Sequence, residues 1–115
     1  MNINELLKLH EVNFGVDGLG WTYAKGRGLA WFLDDLQDED FLPEIIDRCA
    51  EKLEGAPNHK EKDWFSYNVF SARLTDDRVE ITGLSSAFTG VLQTIPLLDF
   101  KMILEEWLVF LKAHR

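Results

Sequence analysis

The sequence has one cysteine, three prolines and few cations, and no apolar run approaches the roughly 18 residues of a membrane span. Each shortage excludes something. A lone Cys49 closes no internal disulfide, which fits a reducing compartment. Eight glycines and three prolines beside 46% hydrophobic residues exclude a disordered or fibrous composition. The opening MNINELLKLHE carries no basic n-region, no apolar h-region and no small-residue cleavage site, so no secretion signal is expected and the cytoplasm is. No repeat, low-complexity tract or linker divides the 115 residues. They are read as a single domain, 1–115, long enough to bury roughly two-thirds of its unfolded surface.

Cations are outnumbered, with 12 Lys and Arg against 20 Asp and Glu, for a net charge of −8. The excess is concentrated. Residues 31–54 hold Asp34, Asp35, Asp38, Glu39, Asp40, Glu44, Asp47, Glu51 and Glu54 against only Arg48 and Lys52. Outside that window acids and bases nearly cancel. A negative field of this kind repels nucleic acid and anionic lipid and attracts cationic surfaces, so neither nucleic acid nor membrane is an expected partner.

Spacing says where the carboxylates point. Across residues 41–53, Leu42, Ile45, Ile46, Cys49 and Leu53 recur at helical intervals and fall in a stripe about 100° wide. Asp40, Glu44, Asp47, Glu51 and Glu54 cluster on the opposite side. Pro43 suits the first turn, and Gly55 stands where a C-capping glycine belongs. Like charges at i,i+4 cost roughly 0.2–0.5 kcal/mol per pair, yet Asp40–Glu44 and Asp47–Glu51 both accept that cost. Asp38, Glu39 and Asp40 have a local explanation, because carboxylates at a helix start cap free N–H groups. Asp34 and Asp35 have none: residues 28–37 (GLAWFLDDLQ) read as a short helix with Leu29, Phe32, Leu33 and Leu36 inward, and both acids fall near its C-terminal end.

Other chemistry finds little support. A calcium loop begun at Asp38 meets Leu42 and Pro43 where an acid and a sharp-turn glycine are required. His10, His59 and His114 lack Cys or His neighbours at zinc spacing and are read as surface residues. No metal, cofactor or catalytic residue is expected. The glycines of GVDGLGWTYAKGRG do not make a dinucleotide fingerprint, since Trp31 stands where the third glycine belongs. They mark turns around a short extended segment at 21–25. Trp21, Tyr23 and Trp31 are read as core residues; any that reaches the surface would be a rigid aromatic anchor beside the acidic patch.

The second half reads as sheet and helix. Residues 64–74 (WFSYNVFSARL) alternate like a strand, TDDR supplies a turn, VEITGL returns, and 88–95 (FTGVLQTI) adds another strand. Residues 56–63 read as a polar loop. Residues 98–114 form an amphipathic helix with Phe100, Ile103, Leu104, Trp107, Phe110 and Leu111 inward, and with Met102 and Val109 on its flank as a minor dimer contact. The expected fold is α+β, with two or three N-terminal helices, a small antiparallel sheet of three to four strands, and the C-terminal helix packed on it.

The segment Ile95-Pro96-Leu97-Leu98-Asp99-Phe100, running into Glu105-Glu106-Trp107-Leu108-Val109-Phe110-Leu111, resembles the ending of small bacterial immunity proteins of contact-dependent growth inhibition and related polymorphic toxin systems. The resemblance implies a cytoplasmic, non-enzymatic inhibitor of one cognate toxin domain, commonly a nuclease. Charge points the same way, because a basic nucleic-acid cleft is well blocked by carboxylates. The expected partner-binding residues are Asp34, Asp35, Asp38, Glu39, Asp40, Glu44, Asp47 and Glu51, on a monomer or weak dimer. Two rival expectations are an acidic secretion chaperone, which would hold an unfolded client segment as a dimer, and a small hydrolase.

Overall fold

Asn2 starts the first helix by accepting the Glu5 N–H on its side-chain oxygen at 2.9 Å. From there the computed structural model describes residues 1–114, apart from the Phe88 side chain. The order is α1 (Ile3–Leu9), β1 (Val12–Val16), β2 (Thr22–Gly26), α2 (Gly28–Asp35), α3 (Leu42–Leu53), β3 (Trp64–Tyr67), β4 (Phe70–Leu74), β5 (Arg78–Ser85), β6 (Phe88–Pro96) and α4 (Leu97–Ala113). The chain is therefore α+β, and α4 packs on the sheet as expected.

Strands β3 to β6 form an antiparallel meander in sequence order, and β1 pairs with β2 in a separate hairpin. One face of the meander is closed. Phe70, Ala72 and Leu74 of β4, Val79 and Ile81 of β5, and Ile95 of β6 are all buried, and the helices cover them. Helix α4 contributes Leu97, Phe100, Ile103, Leu104, Trp107 and Leu111 to that core. Burying each such side chain is worth about 1.5–3 kcal/mol relative to exposure. The indole N–H of Trp107 donates to the Leu36 carbonyl at 2.8 Å, so even the largest core residue leaves no polar atom unsatisfied.

The expected strand at 64–74 is two strands. The chain reverses at Asn68, whose φ of 61° lies in the left-handed region that asparagine tolerates better than most residues. The turn contains no glycine, and the alternation runs on across it, so sequence spacing conceals the break. Its effect is to pair Phe65 with Ala72 and Tyr67 with Phe70, which turns both aromatics toward Phe41 at the start of α3. The extended segment expected at 21–25 is β2, and its partner β1 was not anticipated. Gly26 permits the close approach that joins this hairpin to α1: at φ 145°, a Cβ there would lie 1.7 Å from the Glu11 carbonyl oxygen.

Some burial expectations also fail, at Leu53, His10, Trp21 and Trp31. Leu53 at the end of α3 is 44% exposed, because Gly55 turns the chain away before anything covers it. His10 is not a free surface residue. Its Nε2 lies 2.8 Å from Asp99 Oδ2 in a partly buried pair that ties the end of α1 to α4.

Candidate functional site

Helix α3 is fixed at both ends. Asp38 accepts the Asp40 and Phe41 N–H groups at 2.8 and 3.2 Å, ordering the turn that leads into it. At the far end the Gly55 N–H donates to the Lys52 carbonyl and the Ala56 N–H to the Glu51 carbonyl, both at 3.0 Å, in a Schellman arrangement with Gly55 at φ 99°. Between these anchors Leu42, Ile45 and Cys49 are buried, while Asp40, Glu44, Asp47 and Glu51 are exposed on the other side. Of those four, only Glu51 meets a cation among the described residues, the Arg48 Nη1 at 3.5 Å.

The scarcity of counter-charge has a structural cause. The two cations of α3, Arg48 and Lys52, are both buried and turned to the opposite flank. There Arg48 Nε donates to Asp63 Oδ1 at 2.6 Å and Lys52 Nζ to Asp63 Oδ2 at 2.8 Å. Asp63 also accepts the His59 N–H at 2.7 Å, and Arg48 reaches the Pro57 carbonyl at 2.9 Å. Burial alone would raise the Asp63 carboxyl. The hydrogen bonds from Arg48, Lys52 and the His59 N–H outweigh it and hold the group down at about 2. The polar loop of residues 56–63 is thus locked to α3 by charge.

The remaining expected site residues have mixed duties. Asp34 accepts the Ala24 N–H at 2.9 Å, so it fastens α2 to β2 and does have a local role. Asp35 accepts from Asn68 Nδ2 at 3.2 Å at the tip of the β3–β4 hairpin. Burial raises the Asp35 carboxyl, the Asn68 hydrogen bond partly offsets this, and the neighbouring Asp34 charge adds to it. Glu39 is half-buried in the link between α2 and α3. The structure therefore gathers Glu44, Asp47 and Glu51 on one face of α3, with Asp40 in the turn just before it and Asp34, Asp35, Asp38 and Glu39 leading in as partly structural residues.

Aromatic side chains stand nearby. Trp21, expected in the core, is 68% exposed, and Leu19 beside it is 85% exposed. They sit in the β1–β2 turn, which Asp17 stiffens by accepting the Leu19 and Trp21 N–H groups at 2.8 and 3.0 Å. Thr22 and Gln37 exchange hydrogen bonds at 2.8 and 3.0 Å, joining this turn to the C-terminal end of α2 and hence to the start of the acidic stretch. Trp31 is also exposed, on α2 with Asp34 and Asp35, although it retains a tilted contact with Phe70. Tyr23 is half-buried under Lys25.

Reactive groups are sparse. Burial pushes the Cys49 thiol up to about 12, so it is neutral and unreactive near pH 7. Among the described residues no group of three or more His, Cys, Asp or Glu side chains is placed to hold a metal ion. Among those residues, too, no helix is long and apolar enough to cross a membrane. Sequence spacing missed the Arg48–Asp63–Lys52 cluster, although a signal was there: Phe41, Ile45, Arg48 and Lys52 recur at helical intervals along the edge of the apolar stripe. Compared with family models, curated proteins and solved structures, the chain matches none.

Proposed function

We propose that this chain is a cytoplasmic immunity protein that neutralises a cognate, basic toxin domain, and that α3 presents the recognition face. The observation that carries the proposal is the separation of charge on one helix. Arg48 and Lys52 are committed to buried Asp63, so Asp40, Glu44 and Asp47 face solvent with no ion pair to a cation among the described residues. A fold indifferent to partners would be expected to intersperse lysines on that face, since mixed i,i+4 pairs stabilise a helix and like pairs do not. An acidic face of this kind accelerates encounter with a basic surface, and the pairs that become desolvated slow dissociation. Leu19 and Trp21, on a stiffened turn joined to the same end of the molecule, supply the apolar anchors that charge alone lacks.

The direct test is protection. The toxin domain that the proposal requires to be encoded beside this chain is expressed in a host, with either the wild-type chain or the triple variant D40K/E44K/D47K. Wild type is expected to restore growth, whereas the folded variant is expected to fail. Equal protection by the variant would remove α3 from the interface, and no protection by wild type would remove the function.

A further inference from the structure

A cavity of about 550 Å³ opens on the other flank of α3, between the 58–63 loop and the β4–β5 turn. Its size is within the range of small-molecule sites. Trp64 walls it, 53% exposed on the open face of the sheet, directly across from Arg73 in the β3–β4 register. Lys60 and His59 line the loop side.

Two cations that line the cavity are unpaired, as Lys8, Lys62 and Lys112 are elsewhere among the described residues. Arg27 pairs with Glu11, Arg78 with Asp77 and Lys101 with Glu105, whereas Arg73 and Lys60 have no hydrogen bond or ion pair among the described residues. Even Glu80, opposite Arg73 on β5, is not within ion-pair distance. His59 Nδ1 accepts the Glu61 and Lys62 N–H groups at 3.2 and 3.1 Å, which places the ring proton of the neutral imidazole on Nε2 and makes that nitrogen a donor. The base of the cavity is rigid, because Asp63 is clamped by Arg48 and Lys52 and its carbonyl accepts the Leu74 N–H at 2.7 Å. One carboxylate, Asp76, stands at the rim, held by Asn58 Nδ2 at 2.6 Å, and it disfavours ligands of high negative charge.

We infer that this cavity binds a small planar aromatic anion, with the ring laid on Trp64 and its carboxylate or phosphate taken by Arg73, Lys60 and the His59 Nε2–H. An arginine suits such an anion because its planar fork can donate two parallel hydrogen bonds. An aromatic wall favours a ring over a bare oxyanion. The site does not depend on the acidic face or on any toxin.

The test is a titration of the full chain with 1-naphthyl phosphate, 1-naphthoate and inorganic phosphate, following the Trp64 indole N–H by nuclear magnetic resonance. Both aromatic anions are expected to produce saturable shifts, with inorganic phosphate binding about tenfold more weakly. Arg73→Gln and Trp64→Ala should each weaken naphthyl phosphate about tenfold or more, since each removes a partner of the bound ligand. Both side chains are exposed, so the variants keep the fold, and Trp64→Phe should recover most of the affinity. Lys101→Gln, at a residue that does not line the cavity, should leave binding unchanged. No saturable shift at millimolar ligand, or undiminished binding by Arg73→Gln, overturns the site.

Discussion

Helix α3 carries charge on two flanks, and they are built in opposite ways. On the inner flank Arg48 and Lys52 close on Asp63, with N–O distances of 2.6 and 2.8 Å and all three side chains buried. On the outer flank Asp40, Glu44 and Asp47 stand in solvent without an ion pair among the described residues. The inner charges are hydrogen-bonded to one another and hold a loop in place. The outer ones repel one another and hold nothing. The carboxylate that does structural work on this helix is bonded, whereas Glu44 and Asp47, with Asp40 just before them, lie together on one side of it without such a role, which suits that side to meeting another surface.

Breaking the inner cluster should give the largest effect. Asp63→Asn leaves two buried cations facing a neutral amide, and the loss of stability in chemical denaturation should be about 3–5 kcal/mol. Asp47→Asn, on the same helix, should stay within about 0.5 kcal/mol of wild type. If both substitutions have the same small effect, the contrast between the flanks is wrong.

Acid should reveal the same cluster more gently. The Asp63 carboxyl is held at about 2, against its ordinary 3.8. Because its folded value is depressed, the group stabilises fully above pH 3.8, and that contribution is lost as pH falls from 3.8 through about 2. The difference between wild type and Asp63→Asn should therefore shrink across that window by roughly 2 kcal/mol, as read from denaturation midpoints at stepped pH. A difference that stays constant through the window would show that Asp63 is not charged in the fold.

The smallest effect is the sharpest, because its sign is unusual. Neutralising Asp47 removes the like-charge pair Asp47–Glu51 within α3 and should raise thermal stability by about 0.2–0.5 kcal/mol. A loss above about 1 kcal/mol would make that carboxylate structural.

Much of the architecture was legible in the sequence, and the failures share a cause. The apolar stripes of α3 and α4 were clear because 3.6-residue spacing is local, and Leu42, Ile45, Cys49, Phe100, Ile103 and Trp107 are buried where that spacing placed them. The acidic face followed from the same periodicity. The break at Asn68 was hidden because alternation continues across a two-residue turn, and β1 was hidden because only its pairing with β2 makes it a strand. Asp63 looked like part of a polar loop, since nothing within residues 56–63 reveals that the cations eleven and fifteen positions earlier will close on it. Asp34 looked unexplained for the same reason, as its partner is a backbone N–H on β2. Long-range partners for charged side chains are what local pattern does not supply.

The central claim is that the outer flank of α3 meets a basic protein, and the association rate tests it most directly. Stopped-flow mixing of the full chain with the toxin domain should give a rate that falls steeply as salt rises, and D40K/E44K/D47K should slow association at low salt and flatten that dependence. Rates and salt slopes that are identical for wild type and variant would contradict the account.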